Sequence, residues 1–365
     1  MTRILVHASE SLAKEILAMR GATEAIAADV AEHLILAERS GHASHGLSIL
    51  PSYIKAIEAG TLSPAASPTR IHEDQMLLAF EGHRGYGQHA AKVAVKAAIE
   101  KASRAGSCFL TLRDSYHLGR AGHYGEMAAK AGLIYLSFVN IVGRPPTVAP
   151  YGGADARLST NPICFAAPIA DGRSPFLLDY ATSGIAANKV RLMAANDEPV
   201  PPGLLIDGRG APTRDASALF ADPPGALLPF GGHKGYALGF LAELLAGVLS
   251  GGGTIAPRNV RDGGLRNNLF AILFDPTAFG DRGWQMTEAA AFSDYAIEGP
   301  RAESCSELLV PGAPESEAQR NSHRLVVMTT AAWELFASCA RDAGLDPGTC
   351  LAPPDPVGQS PMAAE

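Results

Sequence analysis

The chain has 365 residues, 47% of them hydrophobic and 18% charged, which is enough apolar material for a large core and excludes a disordered chain. The formal net charge is −7 and no basic run or stripe occurs, so nucleic acid is not an expected partner. Five scattered cysteines without a Cys-x-x-Cys spacing argue against a zinc ribbon or a disulfide framework and fit a reducing cytoplasm.

Taken in order, the apolar patch Ile4–Val6 is too short for a secretion signal. Ser9 then reads as an N-cap, with Leu12, Ile16 and Met19 at helical spacing and Gly21 as the stop. Thr23 opens a second helix carrying Ile26, Val30, Leu34 and Ala37, and Pro51 starts a third that Gly60 ends. Residues 61–70 are rich in proline and serine and read as a domain crossing. Met76–Phe80 reads as a strand, Gln88–Arg104 as a helix, Cys108–Leu112 as a strand, Ala121–Ala131 as a helix and Ile134–Val139 as a strand. That alternation predicts an α/β fold, and by itself a parallel sheet.

Residues 140–161 form a long irregular region whose apolar and glycine content suggests a functional loop. Phe176–Asp179 is a short strand ending on a carboxylate, and residues 196–224 are mostly loop. The stretch Tyr236–Ser250 is the most apolar, but it holds Glu243 and is shorter than the about 20 residues of a membrane span, so it reads as a buried helix. Leu269–Phe274 is a further strand, Trp333, Leu335 and Phe336 mark a late helix, and the tail after Asp346 reads as loosely ordered.

Chemistry concentrates where turns are richest in polar groups. Ser40-Gly41-His42-Ala43-Ser44-His45-Gly46 joins two helices and carries two imidazoles, which exchange protons near neutral pH. A second cluster, His117-Leu118-Gly119-Arg120-Ala121-Gly122-His123, follows a strand and opens a helix, where ligands and phosphates tend to bind. Thr160-Asn161-Pro162, Asp179-Tyr180-Ala181-Thr182-Ser183 and Gly231-Gly232-His233-Lys234-Gly235 are three more such turns. Together they suggest one extended ligand touched by many loops. Neither a Gly-x-Gly-x-x-Gly after a strand nor a Gly-x-Ser-x-Gly elbow occurs. Four histidines, His42, His45, His117 and His123, could converge on zinc, but no carboxylate is spaced as an obvious ligand, and no metal is expected.

In this order, Ser44-His45-Gly46 with Pro51 and Tyr53, His117-Leu118-Gly119, Thr160-Asn161-Pro162, Asp179–Ser183 and Gly232-His233-Lys234-Gly235-Tyr236 resemble the malate/L-lactate (L-sulfolactate) dehydrogenase type 2 family. The similarity extends to its hydroxycarboxylate dehydrogenase B branch through Leu178–Ser183, Val200–Gly203 and Ile206-Asp207. The resemblance implies an α+β fold: a non-Rossmann cofactor domain with a largely antiparallel mixed sheet, beside a helical domain built from both chain ends. It gives boundaries of 1–70 and 306–365 for the helical part and 71–305 for the catalytic part. It further implies NAD or NADP as cofactor, a small 2-hydroxyacid or 2-oxoacid as substrate and a homodimer; no membrane and a cytoplasmic location are expected from the short apolar stretch and the scattered cysteines.

Position by position, the resemblance makes Ser44 and His45 a relay serine and proton donor, and His117 an acid/base. Cofactor contacts fall to His117, Leu118, Gly119, Arg120, Ala121, Asn140, Asp179, Tyr180, Ala181, Lys234 and Gly235, and a substrate contact to Thr160. Many members carry a carboxylate-clamping arginine where this chain has Ile49, so another cation must serve. Arg144 is the choice here over Arg120 and Arg191, and Ile49 suggests a pocket for an apolar side chain. Asn188 replaces an aspartate of imine-reducing members and weighs against the alternative, a cyclic imino acid reductase. A zinc-dependent hydrolase is the remaining rival.

Overall fold

The computed structural model describes residues 1–353 except 171, 260 and 261. Strand β1 (Thr2–Leu5) and helices α1 (Val6–Met19), α2 (Glu24–Arg39) and α3 (Leu50–Glu58) come first. Then follow β2 (Thr69–Glu73), β3 (Leu77–Glu81), α4 (Gly87–Ala105), β4 (Ser107–Ser115), α5 (Gly122–Lys130), β5 (Ile134–Val142), β6 (Ile163–Ala167) and β7 (Phe176–Tyr180). Next are α6 (Ala187–Ala195), β8 (Leu205–Ile206), β9 (Ala226–Leu227), α7 (His233–Ala242), β10 (Arg266–Phe274) and α8 (Arg282–Ile297). Helix α9 (Ala313–Asn321), β11 (Leu325–Met328) and α10 (Thr330–Asp342) close the chain.

Seven strands form one sheet in the order β2-β3-β4-β10-β5-β6-β7. Among the described strands only β3 and β4 are parallel neighbours, joined by the helical crossover α4; β4 and β5, joined by α5, are separated by β10. All the other neighbours are antiparallel, so the parallel sheet expected from the α/β alternation alone is corrected. Helix α4 lies close on one face because it buries Ala90, Ala94, Ala98 and Ala102, four small residues at helical spacing, and Gly106 ends it with φ +86°.

The helical part joins both ends of the chain. β1 pairs antiparallel with β11, and one core contains Ile16, Ile26, Leu34, Leu50 and Tyr53 together with Trp333, Phe336 and Cys350. The described part of the tail is therefore held down: Cys350 is buried and Leu351 bridges to Ile4. Residues 354–365, the rest of the tail read as loose, lie outside the described residues.

The apolar stretch after Lys234 is helical but buried on one face only. Helix α7 runs on as a π-helical segment, Glu243–Leu249, and small residues of both, Gly239 and Ala242 of α7 and Ala246 and Gly247 of the extension, face inward. Phe240, Leu244, Val248 and Leu249 point out, 45–59% exposed. A sequence pattern of apolar residues on all sides cannot separate these two faces. At the junction, buried Glu243 accepts hydrogen bonds from Asn140 Nδ2 (3.0 Å), Asn161 Nδ2 (2.9 Å) and the Ile255 N–H (2.9 Å). We expect Glu243→Ala to lower unfolding free energy by at least about 3 kcal/mol, since three buried donors lose their acceptor. Urea unfolding of the purified variant measures this, and a loss below about 1 kcal/mol would show that the network is dispensable.

Candidate active site

Helix α2 ends at Arg39, and the chain turns through Ala43–His45, a single 3-10 turn. Ser44 Oγ lies 2.9 Å from His45 Nδ1. Below the turn, buried Glu38 accepts the Leu47 N–H at 2.8 Å. Gly46 is pressed on the same carboxyl: a Cβ there would stand 2.1 Å from Glu38 Oε1, so no side chain fits.

The second loop leaves the end of β4. Asn267 Oδ1 accepts the Leu118 N–H (2.9 Å), and the Leu118 carbonyl accepts from the Tyr124 hydroxyl (2.6 Å). Gly119, at φ +72°, sits against the His33 ring, where a Cβ would come within 2.3 Å of Nε2. The next N–H, of Arg120, donates to that Nε2 at 2.9 Å. His117 is thereby brought over His45: the rings stack with centroids 5.4 Å apart and planes 18° apart. His117 Nδ1 is 2.8 Å from the Tyr53 hydroxyl, which accepts from Gln88 Nε2 at 2.6 Å. The Tyr53 hydroxyl thus engages both Gln88 and Nδ1, and the tautomer with the His117 proton on Nε2 is the one in which Tyr53 donates to Nδ1.

Burial pushes the His117 imidazolium down to about 3, helped by the charges of His45 and Arg144. Burial also holds His45 below the ordinary histidine value, while the nearby Asp179 carboxylate opposes the shift. Of the pair, His45 is the one with a compensating negative charge. Arg144 is exposed at the mouth of the long loop, within reach of His117 electrostatically.

The other expected residues fall around this pair in distinct ways. Asp179 Oδ2 accepts the Gly122 N–H at 2.6 Å, so the start of α5 is already occupied by a carboxylate. Arg120 is buried and paired with Glu126, and Ala121 is buried at the cap of α5. Thr160 and the Asp179 strand are tied together, the Thr160 carbonyl accepting from the Thr182 N–H at 2.9 Å. The Thr182 carbonyl in turn accepts the Phe230 N–H at 3.1 Å, and Tyr180 packs edge-on against Phe230, 5.1 Å between centroids. Thr160, Asp179–Ala181 and the turn before Lys234 thus make one wall. Lys234 is exposed at the start of α7, where Gly231 and Gly232 take positive φ and no side chain caps the helix. Asn140 lies beneath, with Nδ2 given to Glu243 and the Gly253 carbonyl and Oδ1 taken by Asn268. Ile49 packs against the helical core.

The four histidines do not converge. His123 meets His33 at 4.8 Å, and His42 pairs with Glu315 at 3.4 Å. Among the described residues there is no group of three or more His, Cys, Asp or Glu arranged to hold a metal ion. A cavity of about 640 Å³ lies at the far end of the sheet, bordered by Leu133, Ile134, Phe274 and Met286, away from the histidines. Sequence reasoning missed Gln88, His33 and Glu38. Each sits within a helix whose pattern gives no sign that a polar side chain points inward to a loop.

A stacked, half-buried imidazole pair, each Nδ1 engaged by a hydroxyl, on a largely antiparallel mixed sheet is an arrangement suited to proton exchange with a small ligand. The chain belongs to the malate/L-lactate dehydrogenase family, whose sequence profile matches residues 5–334. It is 48% identical over 331 residues to an L-lactate dehydrogenase of Cupriavidus necator, covering 91% of this chain and 95% of that one. It is 35% identical over 345 residues to hydroxycarboxylate dehydrogenase B of Escherichia coli, covering 94% of each. A solved E. coli structure of the malate/lactate dehydrogenase kind superposes with a TM-score of 0.90 at 34% identity, covering 96% of this chain and 97% of that one.

Glu38 gives a test of stability against pH. Burial pushes its carboxyl up from 4.5 to about 7, against the opposing Leu47 hydrogen bond. The folded state therefore binds more protons than the unfolded one between these values, and stability falls as pH rises through that window. Glu38→Gln keeps a carbonyl acceptor and does not titrate. Its melting temperature relative to wild type should climb from pH 4.5 to 8, by the equivalent of up to about 3 kcal/mol. A difference independent of pH would contradict the assignment.

Proposed function

We propose that this chain is a NAD- or NADP-dependent dehydrogenase that interconverts 2-hydroxyacids and 2-oxoacids, with His45 as the acid/base. The observation that carries the reading is the stacked His45–His117 pair. Both rings have Nδ1 engaged, so both Nε2 atoms are left for a ligand.

When bound, a nicotinamide supplies or accepts the hydride at the substrate's C2. The chain fits such a group at the start of α7. There a helix without a side-chain cap and the exposed Lys234 favour phosphate, whereas the start of α5 is taken by Asp179. Lys234 and Gly235 would hold the cofactor's phosphates, and His117–Ala121 with Asp179–Ala181 would border the rest, Asn140 supporting that wall from beneath. His117, neutral at pH 7, donates Nε2–H to the carbonyl oxygen and favours the charge that develops there. His45 gives its proton to the forming alkoxide, or takes the hydroxyl proton in oxidation, and Ser44 orients its ring. Arg144 meets the substrate carboxylate, which needs a partner on leaving water, and Thr160 lines the same wall. The similarity to L-lactate dehydrogenase and hydroxycarboxylate dehydrogenase B supports this substrate class.

The test is an absorbance assay at the reduced-nicotinamide band, with both cofactors and a panel of pyruvate, phenylpyruvate and cyclic imines. Wild type should reduce the 2-oxoacids. His45→Ala should cost about 10²–10⁴ in kcat. Arg144→Ala should cost about 10–10² in kcat/KM on both oxoacids, the loss of a charged hydrogen bond, with cofactor affinity intact. Turnover of imines alone would replace this reading with imine reduction. Near-normal His45→Ala beside an inactive His117→Ala would exchange the two roles.

The same proposal includes a homodimer and the division of the chain at residues 70 and 305. The core shared by both chain ends supports the division. The outward face of α7 and its π-helical extension, Phe240, Leu244 and Val248, supports a subunit contact near Lys234, since exposed apolar patches mark interaction sites. Sedimentation equilibrium should give a dimer, and Leu244→Glu should shift it to monomer; a monomeric wild type at micromolar concentration would remove the dimer. A reducing, cytoplasmic setting is supported by five cysteines that are all free thiols. Among the described residues no helix is long and apolar enough to cross a membrane.

A further inference from the structure

We infer that helix α2 is the positioning element for the histidine pair: Glu38 fixes the Ser44–His45 turn and His33 fixes the His117 loop. This rests on the reading of His45 and His117 as the groups that face the substrate. The two contacts are of one kind. In each, a buried side chain of α2 accepts a single backbone N–H from a histidine-bearing loop, Leu47 N–H to Glu38 and Arg120 N–H to His33. In each, a glycine of that loop, Gly46 or Gly119, lets the side chain come to within van der Waals contact of the backbone. Five residues separate His33 and Glu38, a rise of about 7.5 Å and a turn of about 140°, so one rigid helix reaches two different loops.

The residue types are costly for any other purpose. A carboxyl and an imidazole under 7% exposed are expensive to bury, and apolar residues of similar size would pack there without that cost. His33 must stay unprotonated on Nε2 to accept from Arg120, and burial holds its imidazolium well below the ordinary value. The helix itself is fixed to the sheet side of the molecule. Asp29, one turn before His33, accepts from His89 Nδ1 (2.7 Å) and Lys92 Nζ (2.6 Å) of α4. Neither side chain touches a reacting group; both act through the loops.

The test uses the full chain with Glu38→Ala, Glu38→Gln, His33→Leu and His33→Gln. Glu38→Met fills the same space without an acceptor and stands in where the alanine variant does not fold. Deleting an acceptor should lower kcat on a 2-oxoacid about 10²-fold, as expected for a misplacement of about 1 Å, with NADH or NADPH dissociation constants unchanged in the Glu38 variants, whose turn does not border the cofactor. The glutamine variants, which restore an acceptor, should recover most of it. Independently of turnover, imidazole C–H resonances of His45 and His117, assigned with His45→Ala and His117→Ala, should shift in the deletion variants and return in the glutamine ones. Unshifted resonances in folded deletion variants, or equal losses in deletion and glutamine variants, would overturn the inference. A wild type with no turnover of any 2-oxoacid would overturn the functional reading, and the resonances would then decide the positioning role alone.

Discussion

The seam where α2 lies against α4 is the constraint on which the rest of the site depends. His45 stands on a turn among the N-terminal helices, His117 on a loop of the sheet, and their rings stack only while these two parts keep one relative placement. The seam is held by Asp29 between His89 and Lys92. Burial works against the Asp29 carboxylate, but these two partners outweigh it and hold it below the ordinary carboxylate range. Removing one partner of such a partly buried cluster leaves the others poorly compensated, which is why a contact with no chemistry of its own bears on the geometry of the chemistry.

The opposite wall depends on a different device. Small inward residues let the α7–π helix lie on the sheet, and Glu243 spends its carboxylate on two asparagine amides and a backbone N–H. Asn140 and Asn161 mark the two ends of the long loop that carries Arg144 and leads to Thr160. One buried glutamate thus clamps both ends of the loop that would meet substrate.

What the sequence made legible follows from how local each signal is. Helix α4, strand β3 and the strand after α5 are written in short-range periodicity, and the residues expected there fall inside the observed elements, save Met76, which precedes β3. The two histidine turns were legible as motifs because their polar residues are adjacent in the chain. Strands β1, β2 and β11 were not, since each is defined by a distant partner, and β2 is exposed along its length. The burial expected of Tyr236–Ser250 holds on one face only, because its inner face is made of glycine and alanine and its outer face of leucine, valine and phenylalanine. The start of α5 looked open to phosphate, yet the carboxylate that caps it, Asp179, arrives from another strand. Tyr53 belonged to the family pattern, but its bond to His117, and the contribution of Gln88 behind it, exist only in three dimensions.

The pairing of β1 with β11 bears on how the molecule comes into being. The helices beneath His45 share their core with Trp333, Phe336 and Cys350, which a ribosome makes after every strand of the seven-stranded sheet. The sheet, whose strands are all in hand by Phe274, can close earlier. During synthesis the turn carrying Ser44 and His45 therefore waits on an unfinished hydrophobic face, and so do the contacts of His33 and Tyr53 with the His117 loop, while the strands that carry that loop are already paired. Both halves of the histidine pair thus reach their final placement only when the segment from Trp333 to Cys350 closes the core beneath the helices made first.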